Sequence, residues 1–369
     1  MKVLTVFGTR PEAIKMCPLV LELKKSKEIE CKVCLTGQHR EMLHQVMQAF
    51  NIVEDYNLDI MRDKQTLSTI TTDILQGIES VLQKEKPDIV LVHGDTTTSF
   101  VAALAAFYQQ ISVGHVEAGL RTGNIYSPYP EEMNRLLTGK IATYHFAPTQ
   151  LNKENLIKEN IVDRVYITGN TVIDAFATTI RNKYIFKENR LNDIDFINQK
   201  VILVTAHRRE NLGKPLENIC DALYRLAVEK KDVDLIYPVH LNPAVRKIVY
   251  SKLEGVENIH LIEPLDVIDM HNLMARCFMV MTDSGGLQEE APALGKPVLV
   301  LRTETERPEA VKAGTVKVVG INTNDIYQEA MILLNYEEEY NKMAQAVNPY
   351  GDGHASEKIV EILIRDFKG

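Results

Sequence analysis

The chain has 369 residues, with 42 Lys plus Arg against 50 Asp plus Glu and a formal charge of −8. At roughly 100 to 200 residues per domain, that length points to two domains. The acidic balance excludes a general nucleic-acid binder, which needs a basic face to displace phosphate counterions. Hydrophobic residues make up 45%, enough for a large core, yet the longest apolar run, Phe100–Tyr108, stops at nine residues. A membrane span needs about 18. The opening Met-Lys-Val-Leu-Thr-Val-Phe-Gly reads as a strand entering a turn rather than a signal peptide. A cytoplasmic protein is expected.

Short β-branched runs alternate with amphipathic stretches along the whole chain, the sign of βα units and a parallel sheet. In the first half, strands are expected at Val3–Phe7, Lys32–Thr36, Ile89–His93, Ser112–Val116, Thr143–Ala147 and Val165–Thr168. The stretch Asn182–Gln199 has no sustained period and many Asn and Asp, so it reads as a linker-like loop. In the second half, strands are expected at Val201–Thr205, Asp234–Val239, His260–Ile262, Phe278–Met281, Pro297–Leu301 and Val316–Val319. Six strands on each side fit an α/β protein with two Rossmann-like, doubly wound domains. Their expected limits are 1–170 and 171–353, with 354–369 as a closing segment. Five scattered cysteines suit a reducing compartment. Cys31 and Cys34 lie three apart on a strand, on opposite faces, and read as packing residues.

The strand ends carry the polar residues, where ligands of open α/β sheets bind. The first half offers Gly8-Thr9-Arg10-Pro11-Glu12, His93-Gly94-Asp95 and His115-Val116-Glu117; the second offers His207-Arg208-Arg209, Asp283-Ser284-Gly285-Gly286 and Arg307. A site between the two domains follows. Ser284 can cap the helix that follows it, and Gly285 and Gly286 let backbone N–H groups approach an anion. Arg10, Lys15, His207, Arg208, Arg209 and Arg307 are the cations or potential cations near the strand ends. Asp95, Glu117 and Glu131 are the candidate acid/base carboxylates, although Asp95 could equally cap a helix and Glu131 could be a first-turn acid. Dinucleotide and P-loop fingerprints, a nucleophile elbow and a zinc helix are all absent from the sequence, so neither NAD nor a metal is expected. Asp193-Ile194-Asp195 reads as a solvated turn.

Seven ordered segments resemble the non-hydrolysing UDP-N-acetylglucosamine 2-epimerases: Phe7–Ala13, Val92–Thr98, His115–Arg121, Tyr129–Glu132, Ala206–Asn211, Thr282–Glu290 and Asn348–Gly353. The resemblance spans essentially the whole chain. It implies a glycosyltransferase-B-like fold with the active site in the interdomain cleft, a homodimer, and a C-terminal helix near Ala355–Phe367 packing back toward the first domain. It also implies reversible conversion of UDP-N-acetylglucosamine to UDP-N-acetylmannosamine, through loss of UDP to 2-acetamidoglucal, with no cofactor.

Carried over by residue, the resemblance gives acid/base work to Asp95, Glu117 and Glu131. It places His207 and Arg10 on the diphosphate with Lys15 and Arg307 nearby. Ser284, Gly285 and Gly286 would bind phosphate, and Glu290 the ribose hydroxyls. Met270 would pack on the uracil, in a segment (Glu263–Met270) where this chain has Leu265 and Met270 in place of the Gln and Phe of some members. An effector site for a second UDP-N-acetylglucosamine would use Gln38, His39, Arg208 and His240, with Lys64 where an arginine is expected. The alternatives are a hydrolysing epimerase releasing N-acetylmannosamine and UDP, a UDP-sugar glycosyltransferase, and a non-catalytic UDP-sugar sensor.

Overall fold

A computed structural model describes residues 1–37, 40–62 and 65–368. Two compact units emerge: Met1–Thr178 together with the chain from Tyr350 onward, and Thr179–Pro349. The chain therefore crosses at Thr178/Thr179 rather than at 170/171, and residues 350–353 belong with the first unit. The reason lies in the short helix Thr171–Asp174, which packs on helix Arg10–Lys25 of the first unit.

The first unit holds a parallel seven-stranded sheet. Its strands are β1 (Lys2–Phe7), β2 (Glu30–Leu35), β3 (Tyr56–Asn57), β4 (Ile89–His93), β5 (Ser112–Val116), β6 (Tyr144–Ala147) and β7 (Val165–Ile167). Their order is β3-β2-β1-β4-β5-β6-β7. β1 and β4 are almost wholly buried, as strands covered by helices on both faces must be. β3 is the seventh strand that the expected six omit. The second unit holds β8 (Lys200–Thr205), β9 (Val233–Pro238), β10 (Ile259–Ile262), β11 (Met279–Thr282), β12 (Val298–Val300) and β13 (Val316–Val318). They run parallel in the order β10-β9-β8-β11-β12-β13.

Each order reverses once, between β1 and β4 and again between β8 and β11. Neighbouring loops diverge there and leave a crevice at the carboxyl ends of the strands. At the first reversal Gly8 is obligatory, since an added Cβ would collide with the Thr36 hydroxyl. Thr9 and Glu12 then form a capping box that starts helix Arg10–Lys25. The buried Glu12 carboxylate accepts from the N–H groups of Gly8 (3.0 Å) and Thr9 (2.8 Å). Its other oxygen accepts from the Thr96 and Ser99 hydroxyls, which fixes the β4 loop against the β1 loop.

The segment Asn182–Gln199 is not a linker. Buried Asp269 accepts from the Tyr184 hydroxyl (2.6 Å) and from the N–H groups of Lys187 and Glu188. Phe186 and Leu191 are buried, so this segment is part of the second unit. Asp195 accepts from the N–H groups of Ile197 and Asn198 in an exposed turn. All five cysteines are free, with Cys34 buried and Cys31 half-buried. No helix among the described residues is long and apolar enough to cross a membrane.

The last helix, Ala355–Lys368, packs on helix Arg10–Lys25. Its first N–H groups are satisfied by Asp174, which accepts from Ala355 (3.1 Å) and Ser356 (2.5 Å). Asp174→Ala leaves those donors without a partner, and such a cap loss costs about 1 kcal/mol. A lower urea midpoint with an unchanged slope is expected for the first unit, with Asp174→Asn losing less. An unchanged midpoint in Asp174→Ala would contradict this role.

Candidate functional site

At the first unit's reversal, the residues after β1, β4 and β5 meet. Glu117 follows β5 with φ 63°, in the left-handed region that a residue with a Cβ seldom adopts. Its Oε2 accepts from the Lys15 ammonium of helix Arg10–Lys25. The same oxygen accepts from Asn170 Nδ2 at 2.9 Å and lies 3.6 Å from His93 Nε2 at the end of β4. Burial alone would push this carboxyl up. The Lys15 and His93 charges overcome it and hold Glu117 well below the usual carboxylate range.

Asp95 and Glu131 sit differently. Asp95 is partly exposed and pairs with Arg135, while its backbone carbonyl accepts from Asn134 Nδ2 at 3.0 Å. The helix cap beside it is Thr96, whose hydroxyl accepts from the Ser99 N–H, so Asp95 is released from capping. Glu131 and Glu132 open helix Glu131–Ile141. Glu132 is 1% exposed and structural: it accepts from the N–H groups of Thr122 and Gly123 and pairs with Arg135 at 3.0 Å. Glu131 is half-buried, and its side chain makes no hydrogen bond or ion pair with any described residue. Arg10 occupies the first helical position after β1, half-buried at the same rim.

The second unit repeats the scheme with different chemistry. Fully buried Asp283, after β11, accepts through Oδ2 from the N–H groups of His207 and Arg208 (both 2.8 Å) and from Asn211 Nδ2. It thereby fixes the loop after β8. Burial lowers the His207 pKa, with Asp283 only partly opposing it, so the imidazole is neutral near pH 7. The ring stacks on His240 with centroids 4.9 Å apart.

Gly285 lies close to the Arg208 and Arg307 guanidiniums, 3.8 and 3.7 Å from where a Cβ would stand. Arg307 also pairs with buried Glu289. Ser284 is not the helix cap: the helix begins at Leu287, and Gly286 precedes it in helical conformation without a side-chain cap. The Ser284 hydroxyl is left without a partner among the described residues. Glu290 lies 3.4 Å from Nε2 of buried His271, whose Nδ1 meets the Thr179 hydroxyl at 2.7 Å. Met270 is half-buried in helix Val267–Arg276, and Leu265 is buried just before it.

Arg10, Lys15, Asp95, Glu117 and Glu131 thus belong to the first unit's strand-end rim, and His207, Arg208, His240, Ser284, Gly285, Gly286 and Arg307 to the second unit's. Gln38, His39 and Lys64 lie outside the described residues. Sequence reading missed His93, Asn170, Arg135 and Asp283 as site-builders. His93 and Asp283 stand at the strand ends already singled out, whereas Asn170 and Arg135 reach the site only through tertiary contacts.

A family model described as UDP-N-acetylglucosamine 2-epimerase matches residues 21–364. The chain belongs to that family. The Bacillus subtilis UDP-N-acetylglucosamine 2-epimerase is 58% identical over 365 residues, covering 99% of this chain and 95% of the relative. The crystal structure of the Neisseria meningitidis UDP-GlcNAc 2-epimerase bound to UDP-GlcNAc is 54% identical, with a TM-score of 0.90, and covers 99% of this chain and 100% of that one. At 10% identity, a kitacinnamycin glycotransferase still superposes with a TM-score of 0.66 over 99% of this chain and 98% of its own. The fold is therefore glycosyltransferase-B-like: two Rossmann-like parallel-sheet domains.

His115, on β5, ties the rim to the pH scale. It is fully buried, its Nε2–H donates to the Gly94 carbonyl at 2.7 Å, and burial pushes its pKa down to about 3. The folded protein keeps it neutral, whereas the unfolded chain protonates it below about 6.5. The unfolded state then binds more protons, so stability falls as pH drops from about 6.5 toward 3. Buried His145, also lowered, acts with the same sign. The urea midpoint is expected to fall between pH 7 and pH 5, and to fall less steeply in His115→Gln. Equal slopes in the two proteins would contradict this.

Proposed function

We propose that this protein interconverts UDP-N-acetylglucosamine and UDP-N-acetylmannosamine by elimination and re-addition of UDP. Carbon 2 carries an acetamido group, so its configuration cannot be inverted by oxidising a hydroxyl there. Its hydrogen is also not next to a carbonyl. Breaking the anomeric C–O bond first creates an oxocarbenium-like centre that acidifies that hydrogen. The bonding pair leaves with UDP and the proton passes to a side chain, giving 2-acetamidoglucal. Re-addition of UDP, with the proton returning to the opposite face, gives the epimer.

The observation that carries this reading is the unequal setting of three carboxylates at one rim in a member of this family. Glu131, whose half-buried side chain has no partner among the described residues, and Asp95, partly exposed beside Arg135, suit proton transfer. Glu117, clamped and ionised, is a poor proton acceptor but a good fixed anion for a developing cationic carbon. We therefore assign Glu117 an electrostatic role rather than the acid/base work implied by resemblance. Arg10 and Lys15 are the first unit's candidate cations for a phosphate oxygen.

In the second unit, the Ser284 hydroxyl, the Gly285 and Gly286 backbone and the Arg208 and Arg307 guanidiniums suit a diphosphate, with neutral His207 as a hydrogen-bond donor. Glu290 would take the ribose hydroxyls and Met270 the uracil. Neither role calls for a metal ion. Five free cysteines are consistent with a cytoplasmic site of action.

Incubation with UDP-N-acetylglucosamine alone, in EDTA, separates the possible activities. Epimerisation predicts UDP-N-acetylmannosamine as the main product, and Glu131→Gln should slow its formation by roughly 10²–10⁴ while UDP affinity changes little. Free N-acetylmannosamine would indicate hydrolysis, and no reaction until an acceptor is added would indicate glycosyl transfer. Either result would remove the proposal.

A further inference from the structure

Lys15 and Asn170 donate to one oxygen of Glu117 and His93 stands beside it; Asn170 and His93 have no assigned part in the reaction. Asn170 is 3% exposed, and three of its hydrogen bonds bear on the site. Its Oδ1 accepts from the Val172 N–H at 3.1 Å, capping helix Thr171–Asp174. Its backbone N–H donates to the Tyr350 carbonyl at 2.7 Å, where the chain re-enters the first unit. Its Nδ2 donates to Glu117 Oε2. Among the residues favoured as caps, Asn alone offers an amide donor as well as a carbonyl acceptor. Ser, Thr or Asp would serve the cap and leave Glu117 without that donor.

His93 is 4% exposed, and its Nε2 has no hydrogen-bond partner, standing 3.6 Å from the same Oε2. A buried imidazole nitrogen without a partner is costly unless a nearby charge compensates it. The titratable groups that bear on Glu117 are Lys15 from helix Arg10–Lys25 and His93 from β4. Glu117 Oε1 makes no hydrogen bond with the described residues, so the clamp engages one oxygen and leaves the other open.

We propose that Asn170 and His93 are positioning residues: with Lys15 they lock Glu117 Oε2, so that Oε1 is the oxygen offered to the anomeric carbon. The proposal rests on the elimination reading above. It gives Glu117 a fixed charge at a fixed place, which is what stabilising a transient cation requires, because no reorganisation is then needed during the reaction.

The test uses the full-length protein. Asn170→Ser and Asn170→Asp keep a helix cap and remove the amide donor. Each is expected to lower kcat by about 10–100-fold, the scale of a lost hydrogen bond to a charge, with KM changed far less. The acid limb of the kcat profile should move to higher pH, further in Asn170→Asp, where a second carboxylate faces Oε2. His93→Gln, which keeps a polar group beside Oε2, should keep more activity than His93→Leu.

In parallel, a ¹³C-carboxyl NMR titration of Glu117, assigned through Glu117→Gln, should show its pKa rising in Asn170→Ser. The titration is read whether or not the wild-type protein epimerises, so failure of the clamp and failure of the reaction are told apart. Wild-type kcat, pH profile and Glu117 titration in both Asn170 variants, with only thermal stability altered, would reduce Asn170 to a helix cap and overturn the proposal.

Discussion

Keeping a carboxylate charged inside a protein is expensive, and Glu117 shows how this fold meets that cost. Its charge is removed from bulk water, and only closely placed cations and donors can offset the penalty. Those partners come from far apart in the chain: Lys15 from the helix after β1, His93 from the end of β4, and Asn170 from beyond β7. None is useful unless β1, β4 and β5 lie side by side in register. The Glu12 tie between the β1 and β4 loops and the Gly8 close approach serve that alignment. So does the Tyr350 carbonyl, which holds the Asn170 backbone.

The second unit uses the same topology for a different electrostatic purpose. There the buried carboxylate, Asp283, is spent on backbone N–H groups and organises the loop that bears His207 and Arg208. The surrounding guanidiniums remain near Gly285, where the missing side chain gives access to the backbone. The first unit's rim therefore presents carboxylates in unequal settings, and the second unit's rim presents donors and cations.

Much of the fold was legible in the sequence for a simple reason. Parallel strands covered on both faces read as continuous apolar runs, so β1, β4 and β5 stand out. Tyr56–Asn57 did not, because a two-residue polar edge strand has no such run. Asn182–Gln199 looked like a linker because its order depends on Asp269, more than 70 residues downstream, and not on any local period. The strand-end rule picked out Asp95, Glu117 and His207 as candidates. It could not rank the carboxylates, since their settings depend on partners such as Arg135 and Asn170 that only tertiary structure supplies. Ser284 misled as a cap because the helix starts two residues later than such a cap requires, at Leu287.

The central claim is that carbon 2 loses its proton to a side chain and regains one from a group in exchange with solvent. Turnover of UDP-N-acetylglucosamine in deuterated water, followed by mass spectrometry and proton NMR of the UDP-N-acetylmannosamine formed, tests it directly. The account predicts one deuterium at carbon 2 in essentially every product molecule. Product that keeps its original hydrogen at carbon 2 would contradict it.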